Sequence, residues 1–272
     1  MTMGGSFDLA NWLWLTIIAH LLSDFVFQTG KMVEWKKEKK MRGYILHFLI
    51  VFFVTFLLTG FFLKEFGFSL RKFHYSRTIN NLLYNLAYTS TIAFLHIIID
   101  LIKEIFANKS PKSDLIMFFI DQLIHLGIIY IAWKIVVSRY LETININTWS
   151  YHEGLKNEKS LLFIIVYLVV LFVAAVLLEK VLKMLNIERT DEKETNISRY
   201  IGIIERALIV TLVSFGHVSS IGIIFTAKSL ARYRELRDDK FVEYYLLGTL
   251  ASLLIALVGG LFISHYVFSQ RL

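Results

Sequence analysis

Three times in the first half of the chain a histidine and an aspartate stand four residues apart: His20 and Asp24 in HLLSDFVFQ, His96 and Asp100 in HIIID, and Asp121 and His125 in DQLIH. That spacing puts both side chains on one face of a helix, about a turn from each other. His47 stands alone, and Gln28 and Gln122 lie beside the first and third pairs. Imidazole nitrogens and carboxylate oxygens are the ligands of zinc, manganese and iron. His20, Asp24, His96, Asp100, Asp121 and His125 are therefore the candidate ligands of one divalent metal, or of two bridged by an aspartate. Zinc is the first choice, with manganese or iron as alternatives. Asp24 or Asp100 is the candidate general base, and His47 is a ligand or an acid. Gln28 and Gln122 would orient the ligands by hydrogen bonds. The same residues also admit a purely structural reading, in which His–Asp bonds hold helices together and no metal is involved.

The elements that must position these residues are apolar helices. Of the 272 residues 56% are hydrophobic and 19% charged, less charge than the surface of a soluble domain of this length needs. Seven apolar segments stand out, at 8–28, 43–63, 79–103, 114–136, 160–185, 200–227 and 241–267. The expected fold is all-α, a polytopic transmembrane bundle organised as a four-helix module over 1–136 and a three-segment module over 160–272. Residues 31–42, KMVEWKKEKKMR, hold six bases and are expected as a cytoplasmic loop. Alternating topology then puts the basic 228–240 stretch outside, against the positive-inside rule. One repair lets the sixth segment turn back at Ser214–Phe215–Gly216–His217 as a re-entrant hairpin. The first segment does not read as a cleaved signal peptide, because residues 1–10 lack Lys and Arg and the run carries His20, Asp24 and Gln28.

If the loops at 29–42 and 104–113 share one side, alternating chain direction brings the pairs and His47 to one layer, roughly 5–17 Å deep. Three carboxylates there cost several kcal/mol each unless neutralised, paired or hydrated. Asn81, Asn85, Thr89, His96, Asp100 and Lys103 form a polar stripe along the third segment, which either lines a watery path or packs on a polar neighbour. In the second half Arg206, Lys228 and Arg232 could hold an anionic headgroup or substrate, or simply snorkel. Gly216, Gly222 and Gly248 offer small faces for helix contact, and His217 a hydrogen-bonded one; His74, His152 and His265 carry no assignment. The absence of cysteine excludes disulfides, thiolate nucleophiles and iron–sulfur clusters. The net charge of +7 is clustered between apolar runs, which points to membrane topology and lipid partners rather than nucleic acid; a homo-oligomer is one option.

HLLSDFVFQTGKM, the His47 helix, HIIID followed by Lys103, and FFIDQLIH resemble a family of bacterial membrane proteins of unknown function. IERALIVTL, AKSLARYREL and EYYLLGTLAS resemble the second half of its longer members. The resemblance implies that the His/Asp/Gln set defines the family, and supplies no activity. A multi-pass place in the inner (plasma) membrane is expected. HExxH, Walker A and the histidine boxes of membrane di-iron enzymes are absent. The leading expectation is a metal-dependent hydrolase of a lipid or lipid-linked substrate. The alternatives are a metal-ion or proton transporter using the polar stripe, and a sensor or scaffold with a structural cluster.

Overall fold

The computed structural model describes residues 9–67, 75–106, 110–144, 155–186, 192–237 and 239–268, and every element among them is helical. His74, His152 and the side chain of Asn81 lie outside what is described. The chain divides into two compact units, one of residues 1–107 and 117–161, the other of residues 108–116 and 162–272.

The first unit is built from α1 (Leu9–Phe25), α2 (Gly30–Lys37), α3 (Met41–Gly67), α4 (Tyr75–Phe106) and most of α5 (Pro111–Ile144). Val51 from α3, Tyr88, Ile92 and Ala93 from α4, and Ile129 and Ala132 from α5 make one apolar core, with Leu13 and Ile17 of α1 against it. The chain's single proline opens α5, where its missing N–H costs no helical bond. Ser110 caps that end by accepting from Ser113 N through Oγ.

Residues 31–42 are not simply a loop. After α1 the chain bends by 80°. Thr29 then caps α2 by accepting from Met32 N, and Met32 and Lys36, four apart, turn inward and are buried. Trp35 and Lys36 press on Gly43, where a Cβ would come within 2.9 Å of Trp35 Cβ. One face of this base-rich segment is thus part of the core, while Lys37, Lys39 and Lys40 remain exposed.

The second unit contains α6 (Leu155–Leu168) from Leu162 onward, a π-helical turn (Val169–Val173), α7 (Ala174–Met184), α8 (Glu192–Ser214), α9 (Ile221–Ala231) and α10 (Asp239–Phe262). Val170, Val210, Val213, Ala256 and Ile263 centre its core. The close approaches are made by Gly259 and Gly260: an added Cβ would lie 2.5 Å from Val170 Cγ2 and from Val213 Cβ respectively. The glycines expected in this role lack such neighbours. Gly216 and Gly222 have nothing within 4 Å of a built Cβ, and Gly248 meets only Leu182 at 3.9 Å.

Five described helices are long and apolar enough to cross a membrane: Met41–Gly60, Leu82–Phe106, Pro111–Val136, Glu158–Met184 and Phe241–Val267. Counting the bent α1–α2 pair as a span gives six. The protein is a multi-pass helical membrane protein. The expectation of about seven segments differs at the first and the sixth, the two that break. The sixth breaks at Ser214–His217, with Gly216 at φ +79° supplying the left-handed turn. The short α9 folds back so that Lys228 meets Glu205 of α8 at 2.5 Å.

Candidate metal centre

The three His–Asp pairs and His47 meet inside the first unit, on α1, α3, α4 and α5. His20, His47, His96, Asp100, Asp121 and His125 are all buried, and the Asp24 side chain is 9% exposed. The innermost group is formed by one residue or pair from each of three helices. Asp24 Oδ1 lies 3.0 Å from His96 Nε2 and 3.3 Å from His47 Nε2. The two ring nitrogens are 3.0 Å apart, and Asp100 Oδ2 is 3.5 Å from His47 Nε2. Ligand atoms held tetrahedrally about 2.0–2.1 Å from an ion are about 3.3–3.4 Å from one another. The separations measured here bracket that value.

Two flanking histidines show which of their nitrogens face inward. His125 Nδ1 lies 2.8 Å from the Asp121 carbonyl oxygen, an acceptor, so Nδ1 donates and Nε2 carries the lone pair. That lone pair faces Asp100 Oδ1 at 4.0 Å. His20 Nε2 donates to Gln122 Oε1 at 3.1 Å, which turns the Nδ1 lone pair toward Asp24 Oδ2 at 3.8 Å. Acceptors thus face acceptors at distances too long for a hydrogen bond. His20 Nδ1, His47 Nδ1, Asp121 Oδ1 and His125 Nε2 are buried with no hydrogen-bond partner, and Asp24 Oδ1 has only the imidazoles of His96 and His47 beside it. Buried polar atoms are seldom left so; a cation or its attached water would be a partner for those that face the cluster. Among the described residues three sets have ligand atoms within 4.8 Å of one another: His20, Asp24 and His96; His47, His96 and Asp100; and Asp100, Asp121 and His125.

Lysines supply the compensating charge. Lys36 Nζ is 2.5 Å from Asp100 Oδ2, both groups being buried, and Lys103 Nζ is 2.8 Å from Asp121 Oδ2. Lys103 belonged to the expected stripe. Lys36 was hidden among the six bases of 31–42, and its signal was the four-residue step from Met32 just after a Thr-Gly helix start. Gln122 joins His20 to Asp121, donating to Asp121 Oδ2 at 3.1 Å. Gln28 instead touches no ligand side chain: with its amide turned to satisfy its neighbours, it donates to the Asp24 carbonyl at 3.2 Å and accepts from Lys36 at 2.6 Å.

Asn85 and Thr89, further members of the stripe on α4, are spent on helix contacts. Thr59 of α3 donates to Asn85 Oδ1 at 2.7 Å, Asn85 donates to the Phe56 carbonyl, and Thr89 bonds back to its own helix. In the second unit the three bases expected at an anionic headgroup have separate partners. Arg206 is buried and donates to Leu171 O at 2.8 Å and to Ser252 Oγ. Lys228 pairs with Glu205, and Arg232 with Glu235 at 2.6 Å. Leu171 sits in the π turn, where the shifted bonding pattern leaves carbonyls for such donors. His217 is exposed at the helix break rather than packed in a helix contact.

Residues 12–153, which contain every member of the His/Asp cluster, match the sequence model of a family described as a protein of unknown function, DUF3307. No curated protein and no solved structure matches the chain.

Proposed function

The chain belongs to the DUF3307 family, and for this member we propose a metal-dependent hydrolase of the inner (plasma) membrane, acting on a lipid or lipid-linked substrate. One divalent ion, zinc in the first instance, would be held by Asp24, His47, His96 and Asp100. The observation that carries this reading is the spacing of their ligand atoms, 3.0–3.5 Å in four of the six pairs. When bound, such an ion lowers the pKa of an attached water to about 7 and so supplies a nucleophile at neutral pH.

Charge supports a single ion. With neutral imidazoles, the three carboxylates outnumber the two ammonium groups by one. A divalent ion together with one hydroxide would bring the layer to neutrality; a second ion would leave it positive in a low-dielectric setting. Lys36 and Lys103 hold Asp100 and Asp121 in place. His125, with its inward lone pair, is placed to take a proton from water and return it to a leaving group, and His20 is held ready beside Asp24 by Gln122. Asp24 and Asp100, expected as bases, are better used as ligands. Passage of a metal or protons along α4 is less well supported, because Asn85 and Thr89 have their polar atoms engaged with protein.

The test is elemental analysis of the detergent-purified protein and of a His47→Ala, His96→Ala double variant, followed by hydrolysis assays on lipid esters and phosphodiesters. One equivalent of metal, lost in the folded double variant, is the expected result. A folded wild-type protein that takes up no zinc, manganese or iron after chelation and refilling would overturn the reading.

A further inference from the structure

Outside the metal centre, the outer face of α2 and the turn that joins it to α3 carry a cluster of bases. α1 runs alongside α3: Asp24 meets His47, and Leu13 and Ile17 lie against the core that holds Val51. The 80° bend after α1 therefore lays α2 across the axes of these helices. α2 ends at Lys37, and the membrane-crossing span of α3 begins at Met41. Its place is thus along the bilayer surface. The inner side of α2 buries Met32 and Lys36. The outer side and the turn expose Lys31, Lys37, Lys39, Lys40 and Arg42 against the carboxylates of Glu34 and Glu38. Lys40 pairs with Glu38 at 2.5 Å, and the other four bases have no carboxylate in contact among the described residues.

Two features set this patch apart from a solvated run of charge. The Arg42 guanidinium lies 4.1 Å from the centroid of the Trp35 ring, and the Lys31 ammonium 5.8 Å from it. A tryptophan carrying cations suits a membrane–water interface, where one side of the ring is apolar and the other wet. Lys39 has φ +56°, the left-handed position after a helix where glycine costs least. Lys39 N bonds to Lys36 O at 2.9 Å and Lys40 N to Trp35 O at 2.8 Å, which fixes that conformation. The backbone gains nothing from a lysine there, so the ammonium is what the turn presents. Phe27, Met41 and Ile45, before and after the bases in sequence, are exposed as well, Met41 by 64%. A soluble polyanion would pair the bases and leave these apolar groups in water, whereas a bilayer of anionic lipids takes both. We propose that α2 and the turn after it bind the phosphates of anionic membrane lipids, with Lys31, Lys37, Lys39 and Arg42 as the contacts. The inner face of the same helix carries Lys36 to Asp100, so the lipid contact and the His/Asp cluster share one short element.

The experiment uses the full-length protein, kept metal-free so that the outcome does not depend on an ion. The chain has no cysteine, so Met41→Cys takes a single environment-sensitive fluorophore beside the patch. The labelled protein in neutral detergent is titrated with phosphatidylglycerol, with phosphatidylcholine of equal chain length, and with inorganic phosphate. Phosphatidylglycerol should shift the emission to shorter wavelength, and at lower concentration than the choline lipid. One base near an anionic lipid surface is worth about fivefold in affinity. Lys39→Gly should therefore raise the phosphatidylglycerol midpoint about fivefold while the protein melts no lower, because glycine relieves the left-handed φ. Lys37→Gln should raise the midpoint by the same factor. No shift, or an equal response to the two lipids, would overturn the proposal. Midpoints that stay in place in both variants would also overturn it. Inorganic phosphate producing the same shift would overturn the assignment to a lipid.

Discussion

Replacing Lys36 by methionine separates an ion site from a purely structural cluster. Lys36 Nζ lies 2.5 Å from Asp100 Oδ2. An ion held on that oxygen at about 2.0–2.2 Å is then no more than about 4.7 Å from the ammonium. A unit and a double positive charge at that distance repel by about 7 kcal/mol at an effective dielectric of 20. If the carboxylates and local relaxation leave a third of this, Lys36→Met gains about 2 kcal/mol, or about thirtyfold, in metal affinity. The metal-free protein should respond in the opposite sense. Asp100 is 7% exposed, and removing its partner strands a buried carboxylate at a cost of about 3–5 kcal/mol. The variant should therefore melt well below wild type after chelation and regain most of the loss when zinc is added. Zinc titration against a chromophoric chelator measures the first quantity, and tryptophan fluorescence on heating measures the second. Unchanged or weaker zinc binding by a folded Lys36→Met protein would refute the placement of the ion beside Asp100.

Other outcomes follow from the same geometry. Stripping metal from the wild-type protein should lower its melting temperature, and refilling at a hundredfold excess over Kd should restore about 2.7 kcal/mol; His47→Ala should show no such metal-dependent shift. Asn85→Leu removes the 2.7 Å bond from Thr59 Oγ1, which keeps the Thr55 carbonyl as an acceptor at 2.7 Å, and should cost about 0.5–1.5 kcal/mol in melting experiments while zinc binding stays unchanged. Loss of metal binding in that variant would mean that the stripe belongs to the site. Gly260→Ala forces a Cβ to 2.5 Å from Val213 Cβ and should destabilise the protein by about 1–3 kcal/mol in the same melting assay. A neutral result would mean that α8 and α10 can separate at little cost.

Burial of Arg206 shows how a helical core accommodates a base whose hydrogen bonds go to neutral oxygens. The π turn at Val169–Val173 frees main-chain acceptors, and Leu171 O takes one guanidinium nitrogen at 2.8 Å. Away from water an unmatched carbonyl and an unmatched cation are each costly, so each offsets the other. The adjacent Glu205 turns instead to Lys228, and neighbouring residues on one helix serve different purposes.

Helical class, five of the seven apolar segments and the shared face of each His–Asp pair were legible from the residues in order. A four-residue step and a long apolar run are local quantities, and helix geometry converts them directly into faces and spans. Alternating chain direction carried the inference one step further, to a common depth for His20, His47, His96 and Asp121. Packing decided the rest. Whether faces at one depth also point at one another depends on how each helix is rotated about its axis, and only contacts such as Asp24 Oδ1 to His96 Nε2 reveal it. The 80° bend between α1 and α2, followed by the docking of α2 on Gly43, turns Lys36 from a loop base into the counter-ion of Asp100. Thr59 occupying the polar stripe at Asn85 has no counterpart in the pattern of either helix alone. A sequence records which side chains a helix presents, whereas their partners are set by the free energy of fitting all the helices together.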